Sequence, residues 1–270
     1  MCSSDLIVVW ADQSEYTSKV AIVPFSGDVR PPGSLLNTVT NPLWPASRTK
    51  SSNNHNYTYT KTACVAERTG TNKNTDVIAG IGNYVMSAYT SNGSCSTPSS
   101  GTVMPLSNNK TSLTTKINGL TNGGGTAGHL GTAWAYYMLS PKWATLLPGI
   151  ALPAVYTAPK TKKIAILMTD GEYNYTYDSE GIPTNSSGSN GSANGTSSAA
   201  QAIAICTQMK LSGIEVYTVG FDLGGNQTAI NTLSSCATDS SKFYNADDGE
   251  QLKQSFRDIA LKISTLYLSR

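Results

Sequence analysis

Charge is scarce in this chain. Only 13% of its 270 residues are Asp, Glu, Lys or Arg, about half the roughly 25% usual for soluble domains; Ser, Thr, Asn and Gly fill the surface positions instead. That profile belongs to exported proteins more than to cytosolic enzymes. The charge present is nearly balanced, with 19 basic and 17 acidic residues and a net of +2, so no strong field exists to hold nucleic acid or an anionic membrane. Also missing is any run of about 18 apolar residues, which excludes a membrane-spanning helix. There are two histidines and no C-x-x-C pair, so no zinc-site spacing is present. The start lacks a basic n-region, and the apolar stretch Leu6–Trp10 is too short for a signal peptide. A targeting segment is therefore expected upstream of Met1.

What is present supports folding. A hydrophobic fraction of 39% over 28.5 kDa suffices for one large α/β domain or two small ones. Val20–Phe25, Ile164–Met168 and Ile214–Phe221 are apolar without alternation, which predicts strands covered on both faces in a parallel sheet. Lys242–Tyr244 is a short fourth candidate. Helical spacing joins Leu130, Ala133, Trp134, Tyr137 and Met138 ahead of Pro141, and Ala202, Ile205, Cys206 and Met209 ahead of Gly213. Leu252, Phe256, Ile259, Ile263 and Leu266 mark a long final helix. The sum is an α/β fold of three layers, a mostly parallel sheet with helices on both faces. The whole chain, 1–270, reads as one domain. Residues 28–106 are Pro-, Asn-, Thr- and Tyr-rich without sustained periodicity, so a loop-rich insertion is expected there. Residues 178–197 read as a mobile Ser/Gly/Asn-rich loop.

Five cysteines are consistent with an oxidising compartment. The preferred arithmetic pairs Cys64 with Cys95 and Cys206 with Cys236, leaving Cys2; other pairings, or buried free thiols, remain open.

The most informative motif is Met168-Thr169-Asp170-Gly171-Glu172. A buried strand delivers Asp170 to its carboxyl end, where open α/β sheets place their ligand sites, and a carboxylate there suits a hard cation. Upstream, Gly123-Gly124-Gly125-Thr126-Ala127-Gly128-His129 is a glycine-rich loop feeding a helix, so the Thr126 hydroxyl can approach a metal with little obstruction. Each motif has a plainer reading. Asp170 also reads as a turn residue or helix cap, and the glycines as a cradle for a phosphate at the helix N-terminus, against which no G-x-x-x-x-G-K-[ST] is present. His129 could serve as a general base, but no nucleophile or second acid stands at a recognisable spacing. Trp134 and Tyr137 read as core, His55 as solvated, and the Asn-x-Ser/Thr triplets at Asn56, Asn92, Asn190 and Asn194 as chance.

Together, Val20–Phe25, the Gly-Gly-Thr loop and Thr169-Asp170-Gly171-Glu172 resemble a von Willebrand factor A domain with its metal-ion-dependent adhesion site (MIDAS). More narrowly, Val20–Ser26, Gly128–Trp134, Ile166–Asn174, Val216–Phe221 and Cys236-Ala237 look like the TadG-like proteins of bacterial Tad (tight adherence, Flp) pilus systems. The resemblance implies a non-enzymatic interaction domain in pilus assembly or anchoring, periplasmic or at the cell surface. It also implies Mg²⁺, or Mn²⁺ or Ca²⁺, held by Thr126 and Asp170 and completed by an acidic residue of a protein partner, such as a Tad/Flp pilus component. The family's D-x-S-x-S is not Asp12-Gln13-Ser14-Glu15-Tyr16. The fifth position is Tyr16, and about five residues between Ser14 and Val20 leave no room for the intervening helix. Leu6–Trp10 then reads as that helix's tail. The first strand, its D-x-S-x-S and the membrane anchor are expected upstream of Met1. Two rivals stand beside this reading: a hydrolase or phosphate-handling enzyme using Asp170 with His129, and a structural module whose metal site is degenerate.

Overall fold

The computed structural model describes residues 18–184 and 188–268. The readings placed on Cys2, Leu6–Trp10 and Asp12–Tyr16 lie outside the described residues. Among those described, no helix is long and apolar enough to cross a membrane.

The parallel pair expected from unbroken apolarity is present. Strand β6 (Ile164–Thr169) runs parallel to β7 (Glu215–Phe221) in register from Ile164 opposite Glu215 to Thr169 opposite Gly220, and β8 (Phe243–Ala246) adds parallel to β7. The crossover between β6 and β7 is α4 (Ser198–Leu211), capped by the Ser197 side chain accepting from Ala200 N–H and closed by Gly213 at φ +77, a left-handed geometry that favours glycine. Helix α3 (Gly128–Leu139) lies beside α4, α5 (Gln227–Cys236) joins β7 to β8, and α6 (Gly249–Leu268) covers the opposite face of the sheet. The main core joins α3, α4, Ala165, Leu167 and Val216; a second cluster packs Ile164, Ile166 and Met168 against Leu252, Phe256 and Ile259.

The first strand departs from expectation. Only Val20–Ile22 is strand (β1), and it pairs antiparallel with β5 (Met104–Ser107) in a sheet of two, not with β6. The reason is physical separation: a groove lies between β1 and β6, leaving Val20, Ala21 and Val23 half-buried. Pro24, which has no N–H to donate, follows immediately.

Residues 28–106 are also more regular than expected. After a short helix, α1 (Gly33–Val39), strands β2 (Ser47–Ser52), β3 (His55–Arg68) and β4 (Val85–Thr90) form an antiparallel sheet. Polar Thr, Ser and Asn on both faces of the β2–β3 hairpin gave no apolar alternation to read, although Tyr and Thr are good strand formers. The disulfide Cys64–Cys95 pins this sheet and Cys206–Cys236 joins α4 to α5, with Cα separations of 5.7 and 5.1 Å. The 178–197 segment, read from the sequence as a mobile Ser/Gly/Asn-rich loop, makes hydrogen bonds to the rest of the fold in its described parts. Ala193 N–H donates to Tyr177 O, and the Asn194 amide donates to Arg68 O and to Gln201.

Candidate metal and interaction site

Strand β6 ends at Thr169, whose hydroxyl accepts from Gly171 N–H at 3.3 Å and donates to Gly171 O at 3.1 Å, so the chain turns sharply there. Asp170 is left exposed at the turn. The glycine loop is stitched to the same segment: Thr126 N–H donates to Asn174 Oδ1 at 3.1 Å, and Asn174 N–H donates to Thr126 O at 3.0 Å. Ala127 N–H donates to Ser26 O at 2.7 Å, anchoring the loop to the chain beyond β1. Thr126 and Asp170 thus open on the same groove.

The glycines of this loop serve packing. A Cβ on Gly125 would fall 2.4 Å from the Tyr175 ring and one on Gly128 would fall 2.1 Å from Tyr173, while Gly124, at φ +85, would meet the hydroxyls of Ser96 and Ser26. The loop therefore approaches two aromatic rings more closely than any side chain permits. Phe25 and Tyr173 meet edge to face at 6.4 Å, bringing the ends of the β1 and β6 segments together.

Beneath the loop lies a residue the sequence did not single out. Asp28 is fully buried, and its two oxygens accept from Ser96 and Thr97 N–H at 2.7 Å each. Burial pushes its carboxyl above the ordinary value, against the pull of those donors. Asp28, Cys64 and Cys95 are the only cluster of three potential metal-ligating residues among the described residues. Because both sulfurs are committed to the disulfide and the carboxylate to backbone donors, it is no metal centre.

His129 does have partners, far away in sequence. Its Nε2 lies 2.7 Å from Glu67 Oε2 and its Nδ1 lies 2.7 Å from Ser198 Oγ. Serine, histidine and carboxylate in a line resemble a nucleophile, base and orienting acid. Here all three are at most 2% exposed, and Glu67 and His129 border a cavity of about 10 Å³, room for one water and no substrate. Asp170 borders the large groove instead, so the structure does not bring together the Asp170 and His129 of the hydrolase reading.

What the site offers a cation is one carboxylate and one neutral hydroxyl. Both are hard oxygen donors of the kind Mg²⁺ takes, but they fill only part of an octahedral shell, and water must complete it.

Residues 95–258 match the family model described as von Willebrand factor type A domain. The chain belongs to that family. The matched span of this VWA domain begins at the second cysteine of the first disulfide, leaving β1 through β4 outside it. No curated protein matches the chain. Among solved structures, the pilus adhesin SpaC from Lactobacillus rhamnosus GG in its open conformation matches at 15% identity and a TM-score of 0.46, covering 63% of this chain and 24% of that one. The vWF domain of the type V pili tip protein Mfa5 from Porphyromonas gingivalis matches at 18% identity and a TM-score of 0.44, covering 60% of this chain and 75% of that one. This VWA domain thus spans about a quarter of the length of SpaC.

Proposed function

We propose that this VWA domain is a non-enzymatic, metal-dependent protein-interaction domain of a TadG-like protein, acting in Tad/Flp pilus assembly or anchoring at the bacterial envelope. The observation that carries the site is the two-way stitching of Thr126 to Asn174, which holds the Thr126 loop beside the turn bearing Asp170 at one groove mouth. Thr126 and Asp170 would hold Mg²⁺, with Mn²⁺ or Ca²⁺ as alternatives, and the ion would offer an open coordination position to an acidic side chain of the partner. Binding of this kind needs no bond broken, and the burial of Glu67, His129 and Ser198 away from any substrate supports that.

Two protein ligands compete poorly with full hydration of so small an ion. This chain is therefore expected to bind Mg²⁺ weakly. Calorimetry checks it: a form extended upstream through the D-x-S-x-S that the resemblance implies should bind, and Asp170→Ala should abolish that binding. Equal affinity with and without the extension, or binding that survives Asp170→Ala, would place the metal elsewhere. No binding by either form would favour a structural module with a degenerate site, a reading supported by Asp170 belonging to no cluster of three potential metal-ligating residues among the described residues.

A further inference from the structure

We propose that a buried single-atom anion, chloride in ordinary media, sits between β3 and α3, held by the guanidinium of Arg68 and the indole N–H of Trp134. Arg68, the last residue of β3, is 3% exposed, and Trp134, on α3, is 1% exposed. Both line the small cavity that Glu67 and His129 border. Arg68 Nη1 donates to Val77 O at 2.7 Å, but Nε and Nη2 have no partner, and neither has Trp134 Nε1. Nε and Nη2 form the edge of a guanidinium that meets two-point acceptors such as carboxylates. Buried donors left unpaired are uncommon. Here three of them belong to two side chains on one cavity.

Charge decides what fills it. A guanidinium stays protonated in proteins, and among the described residues no carboxylate forms an ion pair with this one. The rings of Tyr137 and Trp143 lie 5.1 and 5.7 Å from its central carbon; their faces attract a cation but carry no net charge to balance it. Glu67, the one acid in the lining, is engaged by His129 Nε2, Tyr177 N–H and the Ser192 hydroxyl. The Gln201 side-chain oxygen already accepts from Asn194. A water would accept from the free donors, yet it would find these side-chain acceptors taken and would leave the buried charge uncompensated. A halide accepts from all three donors and supplies the missing charge.

Size and access agree. The cavity leaves about 10 Å³ for the centre of a water-sized sphere, which admits one atom of that size or slightly wider and excludes sulfate, phosphate or a further length of chain. Of the residues around it only Lys73 is not buried, so the lining residue that reaches solvent is itself a cation and favours anion entry. Strand β3 lies outside the span 95–258 that matches the VWA family and α3 lies inside it. The ion would therefore fasten the added sheet to the body of the domain.

The test compares the full chain in sodium chloride and in sodium gluconate at equal ionic strength and pH. The melting temperature should rise saturably with chloride, by about 3 °C at ten times the half-saturating concentration, and bromide should replace chloride. Trp134→Phe keeps an aromatic ring in the core and removes one donor, so the half-saturating concentration should rise at least about threefold. Arg68→Met should abolish the dependence. Crystals of the full chain grown in sodium bromide give a measurement that needs no variant to fold: an anomalous peak is expected within hydrogen-bond reach of Arg68 and Trp134 Nε1. No bromide peak there overturns the proposal and leaves the cavity to water. Equal melting temperatures in chloride and gluconate overturn it too, as does a chloride effect that persists unchanged in a folded Arg68→Met variant, which would place the ion on the surface.

Discussion

His129 illustrates how a side chain's meaning is set by residues that sequence cannot place beside it. Glu67 comes from β3 and Ser198 from the start of α4, 62 and 69 positions away, and a spacing-based search finds neither. Glu67 is held further by Tyr177 N–H at 3.2 Å, so the group ties β3, α3, α4 and the loop beyond β6 together. Removing one member strands a buried polar partner, at about 2–4 kcal/mol. Glu67→Ala and His129→Ala should each lower urea-derived stability by that amount, and the double variant by clearly less than their sum. Single losses below about 0.5 kcal/mol would mean that the contact ties nothing. Lys163, at the groove entrance, makes a different residue-scale prediction. It donates to Leu139 O, and burial pushes its pKa down to about 8. Between about pH 8 and the ordinary value of 10.5 the unfolded chain binds this proton and the folded chain does not, so stability rises with pH in that window. Thermal melts from pH 7.5 to 9.5 should show the rise, and Lys163→Met should flatten it.

At the scale of elements, the disulfide between Cys206 and Cys236 closes 30 residues that contain all of β7. By the chain-entropy estimate such a closure contributes about 3–4 kcal/mol. Replacing both cysteines by alanine should reduce unfolding stability by roughly that much while leaving far-UV circular dichroism unchanged; a loss under about 1 kcal/mol would put the strain of the bond on a par with its entropy gain. How much of these elements could be read in advance follows from their surroundings. Strands β6 and β7 were legible because helices cover the sheet and force apolar residues onto successive positions. Helices α3 and α4 were legible from their spacing and their Pro and Gly stops, and α6 from its spacing. The β2–β3–β4 sheet was not, because β2 and the first half of β3 expose both faces to water and so place no constraint on hydrophobic pattern. Strand β1 was half legible: its apolarity was real, but its partner is β5, some 80 residues on, across a register shift. Of the candidate site, Asp170 and Thr126 could be found from motif and strand end, whereas Asn174, which stitches their loops, carries no signal beyond lying four residues after Asp170.

Across the whole molecule, the groove leaves the edge of β6 facing β1 with no hydrogen-bonded strand between them among the described residues. β1 and β5 stand on one side, β6 to β8 on the other, and the two meet through α3 and at the Phe25–Tyr173 contact. A continuous sheet would protect every amide of β6 alike, because each would donate to a neighbouring strand. Among the described residues, Ala165, Leu167 and Thr169 donate to β7, while the N–H groups of Ile164, Ile166 and Met168 face the groove. Native-state hydrogen exchange reports such differences residue by residue. The three groove-facing amides should exchange at least about tenfold faster than those of Ala165 and Leu167, although all five lie in one strand. Side-chain burial alternates in the same phase, with Ala165 and Leu167 buried and Ile164, Ile166 and Met168 half-buried against α6, and adds to the difference. Equal protection along β6 would show that chain from elsewhere already covers the edge in solution, and the molecule would then be one continuous sheet instead of two halves around an open slot.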